Sequence, residues 1–498
     1  MHQSISDDKY EISIRDDKLG LHILATSIEN RKNHAVYRHY FKQNSNGKFK
    51  KVALNHSNIE SVFKNVTQNG ITSGFYIKTK GTNNANLQIN QEVDNPSSVR
   101  HSKTASERSF TSTGEKLPYH WPIFEKYKNT GYASIVRATM TLHQVCASRC
   151  SFCSTINRTR KDAISLEEAK AFVNDLHSSQ AKFNRKNFAY YNAEYKKLTG
   201  TDIKLRGLIL SGGGQPNLWP PFSDFISWLA RKDIDLGLIT NGFPKHVKDR
   251  VYDKFKWVRL SITPEDASPF YPEQRFDKQR IPQNLIENSN TTFGLSYVYG
   301  PWTTDDILKR LDAISYEWNV DYVRILTDCN LPRRLQLEAH KDLGDRLYNL
   351  NFTDSSGKPL KKIFHQLKYH ASQKEINNLW KDNICGLQLY NTFWDTTGHE
   401  LDQKSYCFPC DSVTVLESED DKTQAERKFN GKKWGTVFNT EVAKLYKDKA
   451  RSFFNPNEIC KACLFVKNNK EVKMLSSLHT YDNIKLNSLT RPEHVNFP

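Results

Sequence analysis

The chain has 498 residues, of which 37% are hydrophobic and 26% charged, and its formal net charge at pH 7 is +17. This length allows two or three domains at roughly 150 residues each. No apolar run approaches the ~20 residues that a membrane helix needs, and the opening segment MHQSISDDKYEISIRDD contains no hydrophobic secretion signal. The sequence therefore predicts a soluble, cytoplasmic protein without a membrane partner.

The positive charge comes from 72 basic against 55 acidic residues, and it is spread along the chain without a long block of Lys or Arg. A basic surface attracts nucleic acid or an acidic peptide. A biased base composition of the coding sequence would produce the same richness in Lys and Asn. The charge by itself therefore leaves nucleic-acid binding open.

Residues 1–90 are predicted to form a small β-rich domain. Its short β-prone segments are Tyr10–Ile14, Leu21–Ala25, Ala35–Phe41, Phe49–Leu54, Gly74–Lys78 and Asn86–Ile89. Within this region only Ile59–Val66 is predicted to be helical. A polar linker rich in Ser, Thr and Asn follows over residues 91–116. The role of the domain stays open among peptide recognition, nucleic-acid binding and dimerisation.

Residues 130–350 alternate between strand-like and helix-like segments. The six predicted strands are Ile135–Leu142, Leu208–Gly214, Leu236–Thr240, Trp257–Ile262, Phe293–Tyr299 and Tyr322–Leu326. The helix-length segments between and after them are Leu166–Leu176, Pro221–Leu229, Asp305–Trp318 and Leu335–Leu350. This alternation predicts an α/β fold with a parallel sheet and helical crossovers. If such a sheet curves into a barrel, functional groups gather at the C-terminal ends of its strands.

A cluster of three cysteines follows the first predicted strand. Cys146, Cys150 and Cys153 form the pattern C-x3-C-x2-C. A 4Fe-4S cluster is fully ligated by four thiolates, so three would leave one iron open to a non-protein ligand. An incomplete zinc site or separately buried thiols are the alternatives.

The second predicted strand ends in three consecutive glycines. Gly212, Gly213 and Gly214 precede Gln215. Residues without a Cβ let another group approach the backbone closely, although a plain turn has the same composition.

The interval between the cysteines and these glycines contains the segment Ala181–Leu198, which interleaves basic and aromatic residues. Grooves for single-stranded nucleic acid have this composition. An inserted lid or a partner-binding helix is an equally good interpretation.

Five further cysteines lie beyond the predicted barrel. They are Cys385, Cys407, Cys410, Cys460 and Cys463, arranged as one isolated residue and two C-x2-C pairs. Such pairs are typical of zinc or iron-sulfur sites, because the short spacer lets both thiolates face one metal. A zinc ribbon built from the two pairs is the alternative to an iron-sulfur centre. The charged stretch Glu417–Lys433 between the pairs is predicted to be a surface loop.

The C-x3-C-x2-C pattern after a first strand, with the aromatic Phe152 before its third cysteine, resembles the signature of the radical S-adenosylmethionine (SAM) superfamily. The resemblance implies a partial (β/α)6 TIM-like barrel, a 4Fe-4S cluster on the three cysteines and SAM at the open iron. It also implies that Gly212–Gly214 with Gln215 hold the SAM amino group, and that Asn241 and Ser261 contact its ribose or carboxylate. The family more often has an acidic residue where Gln215 stands.

The segment from Cys385 through Gly398 to Cys407 is similar to the hairpin of the SPASM and twitch extensions of radical SAM enzymes. This resemblance covers residues 380–470 and implies one auxiliary 4Fe-4S cluster on Cys385, Cys407, Cys460 and Cys463. Cys410 is then spare or replaces one of them. Residues 471–498 are predicted to be a C-terminal tail.

Cys329 follows the sixth predicted strand. A thiol there could return a hydrogen atom to a substrate radical, whereas a small buried side chain is the plain alternative. The resemblance further implies that a peptide or protein side chain is oxidised, cross-linked or epimerised, and that flavodoxin or ferredoxin donates the electron. A nucleoside or nucleic-acid substrate is a second possibility. A zinc-stabilised protein that binds nucleic acid is the alternative from another class.

Overall fold

The computed structural model describes the backbone strands of residues 1–95, then Phe110, and then most of residues 116–498. The larger gaps in that last range are 156–160, 243–248, 263–279, 351–361, 372–384, 397–405, 412–431, 434–462, 479–483 and 486–493. The chain forms two compact units, Met1–Asn95 with Asp482–Asn487, and Pro96–Tyr481 with Ser488–Pro498. Among the described residues no helix is long and apolar enough to span a membrane.

The first unit is built from strands. Five of them form an antiparallel meander: β1 (His2–Ser6), β2 (Tyr10–Asp17), β3 (Gly20–Ser27), β4 (Arg38–Gln43) and β5 (Phe49–Val52). A separate antiparallel pair consists of β6 (Ser61–Val66) and β7 (Thr72–Ile77), and β8 (Leu87–Gln88) pairs with the strand Ile484–Lys485. The predicted helix at Ile59–Val66 is wrong, because Val62, Phe63 and Val66 suit an extended chain once β7 is available for pairing.

The second unit contains a sheet with eight parallel strands. They are β9 (Arg137–Thr141), β10 (Gly207–Ser211), β11 (Asp235–Thr240), β12 (Trp257–Ser261), β13 (Thr292–Tyr299), β14 (Tyr322–Thr327), β15 (Ile363–His365) and β16 (Asn391–Asp395). Their order across the sheet is β15-β14-β13-β12-β11-β10-β9-β16. All six predicted strands are present and parallel.

The sequence predicted six strands, whereas this sheet has eight parallel strands. β15 lies beside β14, and β16 lies beside β9 on the opposite side. β15 has three residues, which is too short to produce a recognisable period in the sequence. β16 also pairs antiparallel with β17 (Tyr406–Phe408), which in turn pairs with β18 (Lys432–Lys433). The hairpin predicted between Cys385 and Cys407 is therefore present in the backbone.

Helices cover one face of the sheet. They are α1 (Trp121–Thr130), α2 (Leu166–Asn174), α3 (Gln180–Asn187), α4 (Ala189–Thr199), α5 (Phe222–Leu229), α6 (Gln283–Asn288), α7 (Asp305–Glu317), α8 (Arg333–Asn349) and α9 (Val466–Ser477). A capping box between Ser165 and Glu168 starts α2, and the Thr304 side chain caps α7. The basic and aromatic segment Ala181–Leu198 forms most of α3 and α4.

The two faces of the sheet differ in exposure. Side chains under the helices are fully buried, as Leu295 and Val323 are. Alternate positions point to the other, inner face, because successive side chains of a strand point to opposite sides. Several inner positions near the carboxyl ends stay partly exposed, among them Ser211, Ser261 and Ser296. The inner face is therefore an accessible, polar surface above the carboxyl ends.

Residues 494–498 close the opposite end of the inner face. Phe497 is buried against Ile209 and Trp257, with its ring centroid 5.4 Å from that of Trp257. Arg137 at the start of β9 donates a hydrogen bond of 2.7 Å to the backbone oxygen of Pro498. A Cβ on Gly207 would lie 2.2 Å from the backbone oxygen of Asn496. Glycine at this position therefore leaves space for residues 494–498, which form the floor of the inner face.

Candidate active site

The cysteine loop leaves the carboxyl end of β9 and returns beside it. His143 pairs with Ala163 in an isolated antiparallel bridge, and the backbone N–H of Gln144 donates to the oxygen of Asp162 over 2.9 Å. These bonds close the base of the loop, so its cysteines project beyond the strand end. Cys146, Cys150 and Cys153 are all partly exposed.

Backbone and hydroxyl groups contact the sulfur atoms of this loop. The N–H of Ser148 points at Cys146 Sγ over 3.4 Å, and Cys153 Sγ lies 3.5 Å from Thr155 Oγ1. The N–H of Cys153 donates to the oxygen of Cys150 over 3.1 Å, which closes a tight turn. Within the described residues no group of three or more His, Cys, Asp or Glu side chains is arranged to hold a single metal ion. A 4Fe-4S cluster binds each thiolate at a separate iron and needs no such convergence.

The glycine segment after β10 packs directly beneath the cysteine loop. A Cβ on Gly214 would lie 2.5 Å from the backbone oxygen of Val145, and one on Gly213 would lie 1.7 Å from Gln144 Oε1. The N–H of Gln215 donates to the oxygen of Val145 over 2.7 Å. Thr155 Oγ1 donates to the oxygen of Gly213 over 3.1 Å. Two segments that the sequence separates therefore form one layer.

The side chain of Gln215 is buried with one polar atom unsatisfied. Its Nε2 donates to Asn217 Oδ1 over 2.8 Å, and Asn217 Oδ1 also accepts from Thr240 Oγ1 over 2.9 Å. Its Oε1 is buried and has no hydrogen-bond partner among the described residues. A buried acceptor without a donor costs free energy. The ammonium group of an amino acid would supply the missing donor.

Asn241 and Ser261 lie at the ends of β11 and β12. Asn241 Nδ2 donates to Ser148 Oγ in the cysteine loop over 2.8 Å. The guanidinium of Arg280 donates to the backbone oxygens of Asn241 and Ser261 over 2.6 and 3.1 Å. Sequence reasoning missed both Ser148 and Arg280, because nothing in their local pattern marks them as site residues.

Phe152 stacks on Trp302, with ring centroids 5.4 Å apart and an interplanar angle of 29°. Trp302 follows β13, and its ring covers Gly300, where a Cβ would lie 2.4 Å from the ring. The two rings form an apolar wall beside the cysteine loop. Sequence reasoning also missed Trp302, although the adjoining Gly300-Pro301 pair indicated a turn at a strand end.

Cys329 lies at the carboxyl end of β14. Its backbone oxygen accepts hydrogen bonds from Gln336 Nε2 over 3.1 Å and from His370 Nε2 over 2.9 Å. Burial raises the pKa of the Cys329 thiol to about 11, so the group is a neutral thiol at pH 7. In the described part of the chain, the hydrogen bonds of Cys329 are with Gln336 on α8 and with His370, not with the first cysteine loop.

The structure brings Cys385, Cys410 and Cys463 into one buried region. Burial, together with Cys463, raises the pKa of Cys385 to about 12, and burial together with Cys410 raises the pKa of Cys463 to about 12. Neutral thiols are therefore favoured here unless a metal cation stabilises the thiolates. Cys407 lies in β17, while its side chain and all of Cys460 fall outside the described residues.

The side chain of Asn469 on α9 links two of these cysteines. Its Oδ1 accepts from the N–H of Gly386 over 2.7 Å and lies 3.7 Å from Cys385 Sγ. Its Nδ2 lies 3.8 Å from Cys463 Sγ and also donates to the oxygen of Phe465 over 3.1 Å. One amide therefore sets the distance between the Cys385 and Cys463 segments.

Comparison with solved structures finds similar chains at low sequence identity. Streptococcus suis SuiB bound to S-adenosylmethionine is 13% identical, with a TM-score of 0.42, and the match covers 69% of this chain and 74% of SuiB. SuiB bound to its precursor peptide SuiA gives 13% identity and a TM-score of 0.43, with 76% and 79% covered. Archaeal TYW1 gives 12% identity and a TM-score of 0.27, with 45% of this chain and 76% of TYW1 covered.

No protein-family model matches the chain, and the comparison with curated proteins found no match.

Proposed function

We propose that this chain is a radical SAM enzyme, in which Cys146, Cys150 and Cys153 hold a 4Fe-4S cluster and SAM binds at the remaining iron. The observation that carries the proposal is the docking of the cysteine loop on the glycine segment beside the unsatisfied Gln215 Oε1. When bound and reduced, the cluster would supply the electron for cleavage of SAM to methionine and a 5′-deoxyadenosyl radical, which would take a hydrogen atom from the substrate.

The residues around the loop have separate tasks in this proposal. Gln215 Oε1 accepts a hydrogen bond from the SAM ammonium group, which satisfies its buried lone pairs. Asn241 and Ser261 contact the ribose or carboxylate, and Arg280 holds their backbones in place through two hydrogen bonds. The stacked rings of Phe152 and Trp302 exclude water from one side of the loop.

We propose further that Cys385, Cys410 and Cys463 belong to one auxiliary 4Fe-4S cluster of the twitch kind. Their burial in a common region and the link through Asn469 support this assignment. Cys407 and Cys460 are the candidates for a fourth ligand. The sequence-based prediction was that Cys410 is spare or replaces one of the other four ligands, and its proximity to Cys463 favours the second alternative.

The substrate in this proposal is a peptide or protein side chain. The inner face of the sheet offers an accessible surface beyond Ser261, lined by hydroxyl groups. A side chain of the substrate could extend over this inner face to the SAM end of the site, while the backbone of the peptide stays outside.

The decisive experiment uses the full chain, purified and reconstituted with iron and sulfide without oxygen. Wild-type protein should contain about eight irons, about four for each cluster. It should form 5′-deoxyadenosine from SAM and dithionite. Cys150→Ala should lose about four irons and all 5′-deoxyadenosine formation, and Cys385→Ala should lose the other four irons.

Ser227→Ala on the exposed side of α5 is the matched control and should retain all of the iron and the activity. Zinc bound in place of iron would refute the proposal. Formation of 5′-deoxyadenosine by Cys150→Ala at the wild-type rate would also refute it.

A further inference from the structure

A row of inner-face residues crosses the sheet near its carboxyl edge. Ser261 on β12 pairs with Ser296 on β13, and Ser296 pairs with Arg324 on β14. Paired residues of neighbouring parallel strands share a face, so all three side chains lie on the inner face. Each is partly exposed, whereas Leu295, Val323 and Ile325 on the helix-covered face are fully buried.

Within the described residues, the Arg324 guanidinium forms no hydrogen bond and no ion pair. Its Nε atom is buried without a hydrogen-bond acceptor, and Arg324 forms no ion pair within the described residues. A buried N–H without an acceptor costs free energy. Burial and the nearby Arg259 lower the pKa of Arg324 well below its usual range. Among the described residues, the inner face therefore contains an arginine whose Nε–H has no acceptor.

The two other arginines of the inner face differ from Arg324 because both are hydrogen-bonded. Arg259 donates from Nε to Tyr322 Oη over 3.0 Å and from NH2 to the oxygen of Phe110 over 2.9 Å. Arg137 donates to the oxygen of Pro498 over 2.7 Å. Both arginines therefore bind groups of the second unit itself.

Two carboxylates of the described residues have hydrogen-bond partners other than Arg324. Asp235 accepts from Asn496 Nδ2 over 2.7 Å, and Asp395 accepts from Gln144 Nε2 over 3.3 Å. Asp411 is near enough to raise the pKa of Arg324 but forms no ion pair with it in the part of the chain described. Among the described residues, the guanidinium therefore retains donors that can bind an anionic ligand.

We propose that Arg324, with the hydroxyl of Ser296 beside it, binds an oxyanion of the substrate, either a carboxylate or a phosphate. The planar guanidinium donates two parallel hydrogen bonds to such a group, which fixes its orientation as well as its distance. This inference rests on the proposed function only in treating the ligand as the substrate, since the binding site itself needs no radical chemistry.

The spacing of the row suits a substrate that lies next to SAM. Arg324 is two strands from Ser261, which is about 10 Å at the usual strand separation. If the acidic group of a substrate side chain binds Arg324, the carbon atoms of that side chain lie between Arg324 and the SAM end of the site. The anchor would select the substrate and position its reacting carbon.

The test measures binding rather than turnover, on the reconstituted full chain with SAM present. The probes are N-acetyl-glutamate amide, its neutral glutamine counterpart and N-acetyl-phosphoserine amide, each titrated by calorimetry without oxygen. The wild-type protein should bind one of the two anionic probes more than 10-fold more tightly than the neutral probe. Preference for the glutamate or the phosphoserine probe distinguishes a carboxylate from a phosphate ligand.

Arg324→Gln should abolish this preference, and Ser296→Asp should also abolish it by placing a carboxylate beside the guanidinium. Having two variants protects the test if one of them fails to fold. Arg231→Gln removes the same charge from an exposed position and should keep the preference. Equal binding of charged and neutral probes to the wild type would overturn the inference, as would a preference that survives both substitutions. If the wild-type protein keeps the preference for an anionic probe but forms no 5′-deoxyadenosine, the radical chemistry is refuted and the oxyanion site is not.

Discussion

Asn241 Nδ2 donates a hydrogen bond of 2.8 Å to Ser148 Oγ, across 93 residues of sequence. The bond joins the end of β11 to the cysteine loop. Because the N–H of Ser148 in turn points at Cys146 Sγ over 3.4 Å, the position of this sulfur depends on a residue from another strand. Asn241 therefore orders the loop as well as lying at the proposed SAM site.

Ser148→Ala should lower the free energy of unfolding by about 1–3 kcal/mol, because the buried Asn241 amide loses its acceptor. Urea unfolding without oxygen measures this loss. Asn241→Ala and the double variant complete a double-mutant cycle, in which the two losses should not add. The exposed Ser227→Ala should stay within about 0.5 kcal/mol of wild type. Additive losses would show that the two side chains do not interact.

Gly214→Ala should prevent the glycine segment from docking, because the new Cβ would lie 2.5–2.6 Å from backbone atoms of His143, Gln144 and Val145. We expect a loss of several kcal/mol of stability and failure to bind iron at the first cysteine loop. Thermal unfolding and iron analysis measure both effects.

Gly344→Ala is the matched control for this substitution. Gly344 lies within α8, and its nearest neighbour would be 3.6 Å from a Cβ. Alanine is favoured over glycine inside a helix by about 1 kcal/mol, so this variant should be equal or superior to wild type in stability. A stable Gly214→Ala protein with full iron content would contradict the docking described here.

Gln215→Leu should weaken SAM binding roughly 10-fold, because the amide oxygen that accepts from the ammonium is lost. Gln215→Glu should strengthen binding by a similar factor, because a hydrogen bond to a carboxylate is stronger than one to an amide. Equilibrium dialysis of the reconstituted protein with SAM measures both. If the two variants change the affinity equally, Gln215 does not contact the amino group.

Phe497→Ala should destabilise the second unit by about 3–5 kcal/mol, because the ring is 2% exposed and packs on Trp257 and Ile209. Phe497→Leu keeps most of the apolar volume and should cost less than about half as much. Denaturant unfolding followed by tryptophan fluorescence measures both losses. Wild-type stability of the alanine variant would show that residues 494–498 do not form the floor.

Lys126 gives a stability that depends on pH. Burial lowers the pKa of Lys126 to about 7, and its Nζ is held by Asn184 Oδ1 over 2.9 Å and the oxygen of Ala133 over 3.2 Å. Between pH 7 and about 10.5 the unfolded lysine carries a proton that the folded lysine lacks, so the stability of the wild type should rise with pH in this window. The slope approaches about 1.4 kcal/mol per pH unit for a full proton.

Lys126→Met removes this titrating group. Urea unfolding at pH 7, 8 and 9 should therefore show a flatter pH dependence for the variant than for the wild type. The comparison uses only the difference between the two slopes, so the contributions of other groups cancel. Parallel curves would show that Lys126 keeps its proton in the folded state.

The sequence predicted the six central strands because apolar runs of strand length, separated by helix-length segments, are a local pattern. It missed β15 and β16, which lie at the two sides of this set. β15 is only three residues long, and β16 joins the sheet by pairing with a strand about 250 residues earlier. Neither property is visible in a local window of sequence.

The sequence could not show which residues of a strand face inward. Most positions of these strands are buried on either face, so their alternation is weak. The pairing register resolved this ambiguity and placed Arg324 beside Ser296 on the inner face. In the same way, the floor formed by Phe497 depends on a contact between residues far apart in the chain.

The sequence by itself determined the six central strands and the two groups of cysteines, because strand periodicity and ligand spacing are properties of neighbouring residues. Only the tertiary structure decided that Ser148 meets Asn241, that Cys410 lies near Cys463, and that Arg324 Nε has no acceptor among the described residues. Each of these depends on distances between segments that the chain separates widely, and such distances are set by packing of the whole sheet rather than by local preference.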